Sequence, residues 1–236
     1  MTRHELKELQ QDQFATKVTD AVEFASTHRS LVIRWSVIAV AIVALAWGGY
    51  WYYNHEKAER QAALRDAFDI AEASVGPIAN PYTKNFPTQE AKDAATLKAF
   101  TGVATKYAGS KQGYLAEYWV ALIRNDKGET AAAIQELRDV AGSSYSIAAM
   151  GKVSLANLLA GQGKYAEAEQ ILTGLVNKPT DLVSKEHAQI LLARVLAKHD
   201  PKAANALLNS IDNGHPLGDR PAVIRAIQLV REELAQ

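Results

Sequence analysis

The sequence contains no cysteine, which excludes disulfide bonds and metal sites built from thiolates. It also has no excess of either charge, because 26 basic residues balance 26 acidic ones among its 236 residues. A balanced chain has no overall field that would draw it to nucleic acid or to an acidic surface. Glycine and proline are scarce, at 14 and 7, whereas alanine, leucine and long polar residues, which favour helices, are common. The composition therefore indicates a mainly helical protein.

Sequence motifs of catalysis are missing as well. Among the six histidines there is no H-E-x-x-H pair, since His187, which follows Glu186, has no second histidine one turn away. The stretch that ends at Lys164 resembles part of a phosphate-binding loop, but Leu158 stands where the first glycine is required. No G-x-S-x-G nucleophile motif occurs. We therefore predict a protein that is not an enzyme and that has no catalytic residues, cofactor or metal.

A long hydrophobic run lies near the N-terminus. Residues 35–54 carry no charge, and a helix of this length rises about 30 Å, close to the thickness of the hydrocarbon core of a bilayer. Trp35 marks one end of the run, and several tryptophan and tyrosine residues crowd the other end. Such rings prefer the headgroup level of a membrane. We predict that residues 35–54 form a transmembrane signal anchor.

A cleaved signal peptide is the alternative, because Ala44 and Ala46 fit the small-x-small pattern of cleavage sites. The 34 residues before the run, and the apolar residues that continue it beyond Ala46, favour an uncleaved anchor. The flanking charges do not decide the orientation, since three basic residues lie within twenty residues of the run on each side. Arg29 and Arg34 lie close to its edge, which favours a cytoplasmic N-terminus.

The segments on either side of the run have helical patterns. Apolar residues recur at helical spacing from Phe14 to Ala25, which predicts an amphipathic N-terminal segment over residues 1–34, either a docking helix or a solvated lead-in. Residues 55–87 read as a helical extension that ends in a linker, because three prolines fall between Gly76 and Pro87. Residues 88–236 form the remaining domain.

Within that domain the chain repeats itself. The positions that recur are the central alanines Ala133, Ala168 and Ala204, the turn glycines Gly128 and Gly163, and Pro216, which closes the third block. The alanines are 35 and 36 residues apart, and each glycine precedes its alanine by five residues. A period near 34 residues, with a helix, a short turn and a second helix in each unit, is typical of tetratricopeptide repeats.

The physical reason for the pattern is steric. Two antiparallel helices approach closely only where a small side chain lies at the crossing, and the turn between them needs a residue that tolerates positive φ. The resemblance to tetratricopeptide repeats is clearest in the G-x-Y-x-x-A pattern of Gly163, Tyr165 and Ala168. Two positions depart from it, since Lys152 stands where tryptophan is usual and His199 replaces the turn glycine of the third block.

The predicted fold is therefore all-α, with a single transmembrane helix followed by a TPR-like α-solenoid. Alignment of the blocks predicts a peptide-binding groove along the first helix of each pair, lined by Tyr118, Asn125, Asn157 and Gln189. The alternative is a structural role in which copies cluster in the membrane. Ala44 and Gly48 have the spacing that lets transmembrane helices approach closely.

The whole layout is similar to the YfgM family, the ancillary TPR-like subunit of the bacterial Sec (SecYEG) translocon. The resemblance rests on RHELKE at residues 3–8, DQF at 12–14 and STHRSLV at 26–32, followed directly by one anchor, a charged extension and TPR-like pairs. It implies an inner-membrane protein with a cytoplasmic N-terminus and a periplasmic repeat domain. It further implies association with the translocon and transfer of newly exported proteins to periplasmic chaperones.

Overall fold

The computed structural model describes residues 29–76, 84–214 and 221–235. Most of the predicted N-terminal segment (residues 1–28), residues 77–83 of the predicted linker, and Pro216 lie outside the described residues.

Helices account for most of the described chain. They are α1 (Arg29–Ala71), α2 (Gln89–Lys106), α3 (Lys111–Asp126), α4 (Thr130–Gly142), α5 (Ile147–Gly161), α6 (Tyr165–Asn177), α7 (Lys185–Ala197), α8 (Pro201–Gly214) and α9 (Pro221–Leu234). Two short strands, β1 (Ser74–Val75) and β2 (Asn85–Phe86), pair in parallel between α1 and α2. The predicted all-α class, a long apolar helix followed by stacked helices, is confirmed.

The chain falls into two compact units, divided between Ala58 and Glu59. Helix α1 is long and apolar enough to cross a membrane by length and composition. In the first unit its large apolar side chains, from Leu31 to Tyr53, are exposed and do not belong to a protein core. The boundaries that we predict at residues 34 and 54 both fall inside α1.

In the second unit, the last turns of α1 contribute to a core with α2 and α3. The buried members of this cluster are Ala67, Phe100, Val103, Tyr107, Ala116 and Val120. Phe68 packs edge-on against Phe100, with ring centroids 5.1 Å apart. The end of α1 and helix α2 therefore share one core, although the boundary predicted at residue 87 lies between them.

Three helix pairs, α3 with α4, α5 with α6 and α7 with α8, carry the repeated pattern, and α9 packs on the last pair. Ala133, Ala168 and Ala204, each in the second helix of a pair, have no exposed surface. The apolar residues four and seven positions after each of them are also buried, namely Leu137, Val140, Leu172, Leu175, Leu208 and Ile211. The small alanine side chain thus lies where the neighbouring helices approach most closely.

The turns of the first two pairs end the first helix in the same way. Gly128 has φ 82° and its N–H donates to the Asn125 carbonyl at 2.9 Å, while the next N–H, of Glu129, donates to the Arg124 carbonyl at 2.9 Å. Gly163, with φ 75°, makes the equivalent bonds in the second pair. This arrangement satisfies the last carbonyls of a helix and needs a left-handed residue, which favours glycine.

The third pair closes without a left-handed residue, because His199 carries a side chain that would be strained in that conformation. No non-glycine residue of the described chain has positive φ. The Asp200 carboxylate instead accepts a hydrogen bond from the Ala203 N–H at 3.0 Å and caps α8, with Pro201 as the first helical residue. The His199 ring stacks on Tyr165, with centroids 4.9 Å apart.

The repeat packing is tested at Ala168. Ala168→Leu should overpack the crossing and lower the free energy of unfolding by about 1–3 kcal/mol, which lowers the melting temperature by several degrees. Ala166→Leu places the same side chain at an exposed position of α6 and is the matched control. Thermal unfolding of the full-length protein in detergent, followed by helical circular dichroism, gives the comparison. Equal melting temperatures for the two variants would contradict a close crossing at Ala168.

Candidate functional site

A groove of about 990 Å³ runs between α4 and α6, with α5 as its floor. Its floor and walls are largely apolar and include Ala148, Ala149, Leu155, Ile171 and Leu175. Charged side chains at its rim are Arg138, Lys152, Glu167 and Lys178. We name it the α4–α6 groove. An apolar floor with a charged rim suits a peptide that presents both apolar and charged side chains.

Two residues of α5 give the groove its shape. A Cβ at Gly151 would lie 2.7 Å from Cγ1 of Val140, so the glycine lets α5 approach α4 closely. Lys152 follows at the position where tetratricopeptide repeats usually carry tryptophan. A tryptophan ring would fill much of this space, whereas the slender lysine side chain leaves the groove open and adds a positive charge.

The rim has an uneven charge distribution. An Arg138 guanidinium nitrogen lies 2.7 Å from a Glu167 carboxylate oxygen, which links α4 to α6. Both side chains are almost half exposed, so the pair contributes little stability, on the order of 0.2–1 kcal/mol. Within the described chain, no carboxylate lies within ion-pair distance of Lys152 or Lys178. The groove therefore carries positive charge that no carboxylate of the described residues neutralises.

None of the four side chains predicted to bind peptide lines the α4–α6 groove. Tyr118 is only 9 % exposed, and its hydroxyl lies 3.2 Å from Oγ of Ser154, so it belongs to the contact between α3 and α5. This differs from the predicted ligand-facing position, because the stacking of α5 on α3 covers the ring. Asn125 is half-buried and accepts a hydrogen bond from the Thr130 hydroxyl at 3.2 Å, across the turn between α3 and α4.

The remaining two lie on the first helices of the second and third pairs. Asn157 is exposed and comes three residues after Ser154, so both share one face of α5. Gln189 is half-buried on α7. On the first-helix face, Asn157 is thus exposed and Gln189 is partly exposed. The α4–α6 groove was not among the predictions, and the sequence signal for it is the pair Gly151 and Lys152.

In the first repeat, the position that corresponds to Lys152 is occupied by Glu117, 35 residues earlier. Glu117 and Asp139 line a small depression between α3 and the end of α4. Burial, and to a smaller extent the negative charges of Asp139 and Glu136, raise the pKa of the Glu117 carboxyl to about 7. Above about pH 7 the same repeat position therefore carries opposite charges in neighbouring repeats.

The raised pKa of Glu117 makes stability depend on pH. The folded state holds the proton up to about pH 7, whereas a free glutamate loses it near 4.5, so the free energy of unfolding falls as pH rises between these values. Glu117→Gln removes this pH-dependent loss of stability. It should raise the free energy of unfolding by roughly 1 kcal/mol at pH 8, with water screening of the half-buried carboxyl taken into account, and by much less at pH 5.

Urea unfolding of wild type and variant at both pH values measures the effect, and Glu232→Gln, which removes an exposed carboxyl from α9, is the control. A Glu117→Gln variant whose gain in stability is the same at pH 5 and pH 8 would contradict the raised pKa.

Comparison with known proteins agrees with this architecture. The family described as tetratricopeptide repeat-like domain matches residues 27–181, a stretch that begins before the apolar part of α1 and ends after the second helix pair. No curated protein and no solved structure shows a significant match to the chain. Because the family match covers more than half of the sequence, the protein belongs to the tetratricopeptide repeat-like domain family.

Proposed function

We propose that this protein is a membrane-tethered adaptor that binds other polypeptides beside the Sec translocon. The observation that carries the proposal is the extent of the family match, which includes both the apolar helix and two repeats. The apolar helix and the repeats thus fall within one family match, which supports a tethered repeat protein. Tetratricopeptide-like repeats are protein-interaction modules, and stacked helix pairs present extended surfaces to partner chains.

The choice of the translocon rests on the similarity of the layout to the YfgM family. The short lead motifs between residues 3 and 32, the single anchor and the TPR-like pairs that follow support it. On this proposal the N-terminus is cytoplasmic, the repeats are periplasmic, and the anchor lies in the bacterial inner membrane. The partners are the translocon, newly exported chains and the periplasmic chaperones that receive them.

The exposed amide on the first-helix face suits such a role. Asn157 both donates and accepts hydrogen bonds, so it could pair with the backbone of an extended client whatever its sequence. Gln189, partly accessible on α7, would add a second amide. Binding through backbone groups fits an adaptor that accepts many chains, each weakly.

The topology has a direct test. A reporter enzyme that is active only outside the cytoplasm, fused after Gln236, should be active, because the proposal places the repeats in the periplasm. The same reporter fused ahead of Met1 should be inactive and is the control. Good expression of the C-terminal fusion without activity would reverse the orientation.

The partners are tested by cross-linking in intact membranes. A photoactivatable residue in place of Asn157 should yield products with translocon subunits and exported chains. The same residue in place of Asn205, an exposed asparagine on the second helix α8, is the matched control and should yield fewer of them. Products that consist mainly of two copies of this chain would favour the alternative, a membrane scaffold associated through the Ala44 and Gly48 face.

A further inference from the structure

We propose that the α4–α6 groove binds a segment of a partner protein in which acidic side chains flank a short apolar stretch. The inference rests on the proposed adaptor role and specifies one kind of segment that the adaptor would hold. It concerns a surface separate from the first-helix face, since none of the residues predicted for that face lines the groove.

The charge of the rim selects the partner. From His55 onward the chain carries 21 basic and 21 acidic residues, so the domain as a whole has no preference for either sign. The rim, however, has three cationic side chains and one carboxylate, Glu167, which is already held by Arg138. Lys152 and Lys178 have no ion-pair partner among the residues that the structure describes, so both can interact with a ligand. Carboxylates of a bound segment would neutralise them, whereas a basic segment would be repelled.

The apolar floor defines the rest of the segment. Lys152 and Ile171 are both half-buried and line the groove, so apolar surface of each is still in contact with water there. A bound apolar side chain would displace water from this floor and lower the effective dielectric around the lysine. The ion pair formed there is then stronger than one on an open surface. A segment with both acidic and apolar side chains should therefore bind with a more favourable free energy than the sum expected for a purely acidic and a purely apolar peptide.

The small residue Gly174 forms part of the α6 wall, and a Cβ added to it would meet no atom within 4 Å. The groove is thus open at this point, and a large side chain there would occupy the space of the ligand without disturbing the protein core. Because glycine is a poor helix former, its replacement does not weaken α6.

The experiment uses full-length protein in a nonionic detergent and two fluorescent peptides. In the first, glutamates flank a run of leucine and alanine, and in the second, lysines replace the glutamates. The first should bind about tenfold more tightly at low salt, and its affinity should fall as salt is added. Equal affinities for the two peptides, or tighter binding of the basic one, would overturn the proposal.

Charge reversal at the rim supplies the second arm. Lys152→Glu combined with Lys178→Glu should weaken binding of the acidic peptide by about tenfold and improve binding of the basic one. The control variant combines Lys111→Glu with Lys202→Glu, which reverses the same charge at exposed positions in the first turns of α3 and α8, where acidic residues are tolerated. Equal losses in both variants would place the acidic peptide elsewhere.

Steric closure supplies the third arm. Gly174→Trp should abolish binding with an unchanged or higher melting temperature, whereas Gly102→Trp, at another open glycine in the helix α2, should leave binding intact. Undiminished binding by Gly174→Trp would show that the peptide does not bind in the groove.

If the groove fails these tests while Asn157 still cross-links to the translocon, the adaptor role stands without this site. If peptide binding succeeds and the cross-links fail, the groove serves an adaptor outside secretion.

Discussion

The close approach of helices at three buried alanines is the constraint on which the repeat domain depends. Ala133, Ala168 and Ala204 leave no accessible surface, so any larger side chain there would push the two helices of a pair apart. Their separation of 35 and 36 residues fixes the period, and the turn five residues earlier follows from the length of the second helix before the crossing. Where the turn lacks glycine, Asp200 caps the next helix instead, and the crossing at Ala204 is kept.

The features that carry binding arise where the repeat pattern is relaxed. At the position where tryptophan is usual, a large ring would fill the space beside the second helix. Glu117 and Lys152 have flexible, ionisable side chains, and each lines an open depression. Burial together with Asp139 raises the pKa of Glu117 to about 7, whereas Lys152 lines a groove with an apolar floor and has no carboxylate at ion-pair distance among the described residues. Where the usual tryptophan is absent, the side chain at that position thus sets the charge of the open surface.

Sequence patterns were sufficient to predict the fold, because helix propensity and turn glycines are local and the period follows from comparison of successive repeats. Properties that depend on neighbouring elements could not be predicted. Tyr118 has the spacing of a ligand-facing residue, and only the stacking of α5 buries it against Ser154. Ala67 reads as part of an extension, yet it shares a core with Phe100, 33 residues away and beyond three prolines. The α4–α6 groove needs three helices and has no continuous motif.

Equal numbers of acidic and basic residues do not make the surface of a solenoid uniform. Because the numbers of acidic and basic residues are equal, the domain as a whole has no net electrostatic field. Individual charges still act on neighbouring groups within the screening length of about 10 Å. Glu117 and Lys152 occupy the same position of successive repeats, so above the pKa of Glu117, which is about 7, this position is negative in one repeat and positive in the next. Above that pH, a segment whose carboxylates pair with Lys152 would instead meet two carboxylates, Glu117 and Asp139, and only one cation, Arg138, one repeat earlier. The register of a bound chain is then set by charge, even though its affinity comes mainly from apolar contact.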